Sequence, residues 1–397
     1  MDAVASGARR NLWSAPGRNP AEEYRSTLHG LRSFTSTDGN PVLTDSAHAL
    51  VVGATGIAGG ALIDRLSGEG WAVTGLSRRP GAERPGVGWR SADLRSPESL
   101  REALGDLPVT HVFFTAWSRQ DTEAENIAVN GGMVRELLAA LSDAPVRHVA
   151  LMTGLKHYLG PFEAYGQGEM PDTPFHEDEP RLDVDNFSYA QEDELFAAAR
   201  RQGFTWSVHR SHTVLGHAVG NAMNMGLTIA VAAAISRHTG RPLVFPGSET
   251  QWNGLTDVTD ADLLASQMVW AATHPEGADE AFNTANGDVF RWRWMWPRVA
   301  ADLGVEAEGF DTAPRPFEQQ MADAAPVWAE IVEQHGLVEP DITRVASWWH
   351  TDADLGRDIE VMTDMSKSRL SGFTEHHRTR DSFTRLFERY RAARLIP

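Results

Sequence analysis

Cysteine is absent from this 397-residue chain, which excludes disulfides, thiolate metal sites and cysteine nucleophiles. Long apolar runs are absent too. The longest, Met223 to Ile235, is broken by Asn224 and is too short to span a bilayer. No cluster of Lys and Arg stands out against a formal net charge of −18, so neither a nucleic-acid groove nor an anionic membrane surface is expected. The opening stretch, Met1 to Arg10, holds no apolar signal core, and the expectation is a cytoplasmic protein. The 15 histidines raise the question of a metal. The groupings His209/His212/His217 and His376/His377 lack carboxylates at ligand spacing, so caps and core hydrogen bonders are expected and no metal. The run Arg291-Trp292-Arg293-Trp294-Met295-Trp296-Pro297 reads as aromatic packing rather than base stacking, because the chain is acidic.

What is present is a 42% hydrophobic content, enough for one large domain or two intimate ones. The chain is organised around Ala49-Leu50-Val51-Val52-Gly53-Ala54-Thr55-Gly56-Ile57-Ala58-Gly59-Gly60, an apolar strand entering a glycine-rich turn and then a helix. Glycines at 53, 56 and 59 have the spacing of a dinucleotide-binding turn: one for the bend, one for close approach of a pyrophosphate, one for helix packing. The expected cofactor contacts here are Gly53, Thr55, Gly56, Ile57 and Gly59, with the helix N-terminus aimed at the phosphates.

From Leu50 onward, short apolar runs alternate with amphipathic helices, which predicts a doubly wound parallel sheet. Strands are predicted at 48–53, 71–77, 86–91, 109–115, 146–153, 204–210 and 280–285, and helices at 58–69, 97–105, 122–142 and 187–202. The domain expectation is a partly ordered extension over 1–47, a Rossmann domain over 48–210, and a smaller, mainly helical substrate lobe over 211–397 with return segments to the sheet.

Four strand ends carry candidate chemistry. The second ends in Ser77-Arg78-Arg79-Pro80, where a carboxylate would suit a ribose hydroxyl and two arginines suit a 2′-phosphate; a solvated turn is the plain reading, and the position favours NADPH. Asp93-Leu94 after the third strand suits the adenine amino group or a helix cap. Ala116-Trp117 after the fourth lets a cofactor lie close and offers a pocket wall, although Trp117 could equally be core. After the fifth comes Gly154-Leu155-Lys156-His157-Tyr158, whose lysine would face the crevice unless it is a plain surface residue. Tyr189 follows a capping Asp185 or Asn186, and the residue four further on is Asp193, so the usual Tyr-x-x-x-Lys dyad of short-chain dehydrogenases is missing.

Taken together, the glycine turn, Ser77-Arg78-Arg79-Pro80, Thr153-Gly154-Leu155-Lys156-His157-Tyr158, Gly160-Pro161-Phe162, and Asn186-Phe187-Ser188-Tyr189 with Glu192-Asp193 resemble one family. It is the progesterone 5β-reductase and iridoid synthase-like group, atypical extended members of the short-chain dehydrogenase/reductase superfamily. The resemblance runs on through Thr205 to Arg210, Asn286 to Trp292 and Ser347-Trp348-Trp349. It implies an NADPH-dependent reductase of conjugated enones and enals, adding hydride at the β-carbon, with Tyr189 and Lys156 as catalytic residues that stabilise the enolate. It also implies that Ala116 and Trp117 meet the nicotinamide side, that the Val214 backbone meets the carboxamide, and that Trp117, Phe162 and Phe373 line the substrate pocket, Phe373 from a lid. Departures are Met152 and Leu155 where relatives often carry polar residues, Arg210-Ser211 in place of Arg-Pro, and Ser188 in place of a frequent aromatic before the tyrosine. Carbonyl reduction or sugar-nucleotide epimerisation on the same fold, and an NADPH-sensing scaffold without turnover, are the alternatives. A small-molecule substrate is the expected partner, and a homodimer stays open.

Overall fold

The computed structural model describes residues 47–161 and 172–397, which belong to one compact unit. Residues 1–46 of the expected extension, and Phe162, lie outside the described residues.

Chain order begins β1 (His48–Val52), α1 (Ile57–Gly68), β2 (Ala72–Ser77), β3 (Val87–Ser91), α2 (Pro97–Leu104), β4 (His111–Phe114) and α3 (Glu123–Ala140). It continues with β5 (His148–Gly154), the single turn α4 (Lys156–Leu159), α5 (Phe187–Gln202) and β6 (Thr205–Ser211). These strands and β7 (Glu280–Thr284) form one seven-stranded sheet in the order β7-β6-β5-β4-β1-β2-β3, every pairing parallel. Successive side chains alternate between the two faces. Leu50, Val52, Val112, Phe114, Val149 and Leu151 pack with α2, α3 and α5. Ala49, Val51, Phe113 and Ala150 pack against α1 and against α7 (Ala261–Thr273) on the other face. Leu50 and Val51, neighbours in sequence on opposite faces, are both 0% exposed, and burying each such side chain contributes about 1.5–3 kcal/mol.

Helix starts follow from their caps. Ser96 Oγ accepts from Ser99 N ahead of Pro97, Thr122 Oγ1 accepts from Glu125 N, and Asn186 Oδ1 accepts from Ser188 N. The C-terminal half builds a second core from α6 (Met225–His238), α8 (Trp292–Asp302), α9 (Ala324–His335), α10 (Trp348–Leu355) and α11 (Thr379–Ala392), centred on Trp292, Trp296 and Trp328. The tryptophan run is thus largely core: Trp292 and Trp296 are buried and only Trp294 faces out. The two halves interleave, because α7 and β7 return to the sheet. Two buried histidines act as core hydrogen bonders, His148 joining Thr205 and Ser207, and His209 joining Gln267. Among the described residues, no helix is long and apolar enough to cross a membrane.

One ionic cluster ties α7 to the segment before α11. His377 Nδ1 lies 3.1 Å from Asp260 Oδ2 and Nε2 lies 3.3 Å from Glu375 Oε1, with Arg385 bonded to the same Asp260 and Arg65 beyond Glu375. Hydrogen bonds to the two carboxylates raise the His377 pKa from 6.5 to about 9. A raised folded-state pKa stabilises below the unfolded value and loses that contribution as pH climbs through the folded one. Thermal melts should therefore show a Tm falling between pH 7 and 10 (roughly the window set by these values) more steeply than in His377→Gln. Parallel curves for the two proteins would contradict the assignment.

Candidate active site

The strand order reverses between β1 and β4, where a parallel sheet opens a crevice at its carboxyl edge. At the β1 end, Gly53 has φ +81, and a β-carbon there would lie 2.9 Å from Thr115 Oγ1. A β-carbon at Gly59 would lie 2.2 Å from Gly53 O, so strand and helix meet only because Gly59 carries no side chain. The N-cap of α1 is Gly56, which offers no side chain to the first-turn amides and leaves that end suited to an anion. Thr55 is exposed at the turn and Ile57 is buried beneath it. These features fit a dinucleotide pyrophosphate. Gly59→Ala should accordingly lower Tm and abolish nucleotide binding, read by a melt and a titration; a variant of ordinary stability and affinity would contradict the packing argument.

The sequence-predicted nucleotide residues fall along one edge. Arg78 and Arg79 are exposed after β2, and Ser77 Oγ donates to Arg79 O and shapes their turn. Asp93 follows β3, and the hydrogen bonds from Arg95, with Arg78 nearby, hold its carboxyl below the usual range. Its carboxylate faces Arg95 rather than capping a helix; Ser96 caps α2. Leu94 is half-buried beside it.

The other end of the crevice is built on β4, β5 and β6. Ala116 and Trp117 leave β4 on a loop fixed by Asn130, whose Oδ1 accepts from Ser118 N at 2.8 Å, and by Asn126, whose Oδ1 accepts from Gln120 N at 2.8 Å. The Trp117 ring stacks on Phe187, centroids 5.6 Å apart and planes 7° apart. Lys156, in the turn after β5, is only 7% exposed, and its Nζ sits 5.7 Å from the Phe187 ring centroid. Trp117, Phe187 and Lys156 thus meet at one point. Beyond β6, Thr213 has φ 37, and Val214 pairs with Thr259 in a two-residue parallel bridge. His212 braces this bend, with Nδ1 3.2 Å from Asp257 Oδ1 and Arg357 Nη2 donating to Nε2 at 3.1 Å. The bend places Val214 at the same carboxyl edge.

A cleft of about 490 Å³ opens between the start of α3 and the start of α5, lined by Asp121, Thr122, Glu123, Pro161, Val184 and Asp185. Glu123 Oε1 accepts from Phe187 N at 2.7 Å, joining the two helix ends at its floor.

One expectation needs correction. Phe373 is 5% exposed and packs 5.6 Å from Trp270, in the last turns of α7. That helix starts at the crevice edge and runs back beneath the sheet, so Phe373 is core and not a lid over the pocket. Tyr189, the residue expected to present its hydroxyl to the substrate, stands in the first turn of α5, where the hydroxyl donates to His157 O at 2.6 Å and accepts from Leu182 N at 3.1 Å. Burial raises the Tyr189 pKa, which keeps that proton in place at neutral pH.

Sequence reasoning passed over several residues that the fold brings here. Phe187 joins Trp117 to Lys156. Trp349, an exposed ring on α10, lies 5.0 Å from the Arg119 guanidinium, so the C-terminal half touches the loop after β4. One sequence signal was available for the lysine: Lys156 and Lys367 are the two lysines in the chain. Lys367 pairs with Glu280 at the start of β7, so Lys156 is the lysine at this edge.

A family model described as a PRISE-like Rossmann-fold domain matches residues 92–397. A 3-oxo-Delta(4,5)-steroid 5-beta-reductase of Arabidopsis thaliana is 39% identical over 364 residues, covering 88% of this chain and 93% of its own. An (S)-8-oxocitronellyl enol synthase of Camptotheca acuminata is 38% identical with the same coverage. Among solved structures, a Thermus thermophilus UDP-glucose 4-epimerase in complex with NAD superposes with a TM-score of 0.61 at 17% identity, covering 87% of this chain and 99% of its own, a likeness of fold alone. With the family model spanning most of the chain and two such relatives alongside it, the protein belongs to the PRISE-like Rossmann-fold family of oxidoreductases.

Proposed function

We propose that this protein is an NADPH-dependent reductase of activated carbon–carbon double bonds, acting on conjugated enones or enals. The observation that carries the reading is the buried Lys156 beside the Phe187 ring at the carboxyl edge of β5, with Trp117 from the end of β4 stacked on that same ring. The relatives named for steroid 5-beta-reduction and enol synthesis support it, since both names describe chemistry at a conjugated carbonyl. Bound NADPH would supply the hydride that adds to the β-carbon, sending an electron pair to the carbonyl oxygen, and a proton taken up from water at the α-carbon of the resulting enolate would complete the saturated product.

The chain's own residues account for the rest. The first-turn amides of α1 hold the pyrophosphate, and Arg78 and Arg79 face the 2′-phosphate. Ala116 and the Val214 backbone flank the nicotinamide, with Val214 held by the braced bend at Thr213. Trp117 and Phe187 exclude water from the reacting carbons. Lys156 meets the negative charge that grows on oxygen, an interaction stronger in the transition state than before it. No tyrosine in the chain has a lysine four residues on, so the proton relay of ordinary carbonyl-reducing relatives is not available.

The test is direct. Purified protein, NADPH and a panel of small enones and enals should show loss of cofactor absorbance with a saturated ketone or aldehyde as product. An alcohol product would assign carbonyl reduction instead, and NADPH binding without oxidation across the panel would assign a sensor.

A further inference from the structure

The position one helical turn beyond Tyr189, where a lysine would complete the usual dyad, holds Asp193. That carboxylate recruits a cation from elsewhere in the chain. Asp193 Oδ1 accepts from Arg181 Nη1 at 2.8 Å, and Glu192 Oε2 accepts from Arg181 Nη2 at 2.7 Å. Residues three and four beyond Tyr189 share its face of α5, so both carboxylates draw the guanidinium toward the tyrosine. Arg181 Cζ accordingly lies 4.8 Å from the Tyr189 ring centroid. One anchor is buried: the Glu192 side chain is 3% exposed, and a carboxylate taken out of water to that degree holds its cation firmly.

The same short segment acts on the hydroxyl. Leu182, next in the chain, donates its N–H to the Tyr189 oxygen at 3.1 Å. An N–H on the phenol oxygen and a cation over the ring both favour negative charge there, which loosens the proton. Burial of the phenol and the Glu192 carboxylate work in the opposite direction, and Arg210 adds a second cation on the side of Arg181. The His157 ring stands edge-on at 5.5 Å, and burial lowers its pKa to about 4, so it faces the tyrosine uncharged. Arg181 thus opposes the carboxylate that anchors it.

From this geometry we infer that Arg181 is a positioning residue acting through Tyr189: Glu192 and Asp193 set its guanidinium over the ring, and the phenol becomes a stronger hydrogen-bond donor to the oxygen on which charge grows. The inference rests on the proposed enone reduction, with Tyr189 joining Lys156 at that oxygen. The phenol proton is directed at His157 O and turns about the Cζ–O bond, so a substrate oxygen competes for it while the Leu182 N–H keeps its place. No proton changes owner in this step. The bond strengthens as negative charge arrives.

Arg181→Gln removes the charge and keeps an amide donor for Glu192, whereas Arg181→Lys keeps the charge. Replacing the five tyrosines with 3,5-difluorotyrosine, a more acidic phenol, lets each be titrated by fluorine NMR, with Tyr189→Phe identifying its signal. An opposite charge this close lowers an acid's pKa by about 1–3. Because the Arg181 side chain is 33% exposed, the Tyr189 phenol should titrate only roughly 0.5–1 pH unit higher in Arg181→Gln, and near its wild-type position in Arg181→Lys. In unlabelled protein, kcat on an enone should fall roughly 2- to 5-fold in Arg181→Gln and recover in Arg181→Lys, with NADPH affinity unchanged. An unmoved titration in Arg181→Gln would overturn the inference, and so would a raised one with kcat intact. A loss of kcat that Arg181→Lys fails to recover would assign Arg181 to packing alone and overturn it as well. If the wild-type protein reduces no enone, the functional proposal fails, while the titration still decides whether Arg181 acts on the phenol.

Discussion

Lys156→Met is expected to lose about 100- to 1,000-fold in kcat on an enone, which corresponds to roughly 3–4 kcal/mol of transition-state stabilisation. Methionine keeps an unbranched apolar stem that still packs against Phe187, so the turn should survive and the charge alone should go. The effect is large because Lys156 is 7% exposed, and a charge in a dry site acts on a developing oxyanion with little screening. Stopped-flow single turnovers at saturating NADPH isolate hydride transfer from product release. A fall in the single-turnover rate with NADPH affinity changed only slightly is the expected pattern. A rate within a few-fold of wild type would remove Lys156 from the chemistry.

Arg78→Ala combined with Arg79→Ala should weaken NADPH by roughly 10- to 100-fold and leave NADH nearly unchanged. Hydrogen bonds to charged groups contribute about 1.5–3 kcal/mol each, and both arginines are exposed, so the pair together is credited with about that much after screening. Their position is what gives them this role: they follow β2, beside β1 and its glycine turn, where the adenosine ribose of a dinucleotide falls. Asp93 lies close enough to feel Arg78, yet its carboxylate is bonded to Arg95 and does not occupy the arginine pair. Isothermal titration with both nucleotides gives the ratio directly. Equal losses for NADPH and NADH would count against a 2′-phosphate at this edge.

Local pattern carried the sheet. The strand from His48 to Val52 has an uninterrupted apolar run because both faces are covered, and the break into helix at Ile57 follows from three glycines. Asp185 or Asn186 marked the start of α5, and Asn186 is the cap. Long-range convergence was not legible. Which way the Tyr189 hydroxyl points depends on His157 and Leu182 arriving at the same place, and no spacing within 186–193 encodes that. Phe373 reads as a lid residue until Trp270, over 100 positions earlier, is seen beneath it. The short turn Lys156–Leu159 has four residues, too few for periodicity, and exists because α5 bonds its carbonyls. The brace of His212 by Asp257 and Arg357 likewise joins three separate stretches of chain.

The central claim is that hydride reaches carbon, not a carbonyl, with charge collected by a buried lysine. It is tested by supplying NADPH deuterated at the transferring position of the nicotinamide and locating the label in the product of a simple cyclic enone by NMR. The account predicts deuterium on the β-carbon of a saturated ketone, and the same product formed far more slowly by Lys156→Met. Deuterium on a carbinol carbon, with the double bond intact, would contradict it.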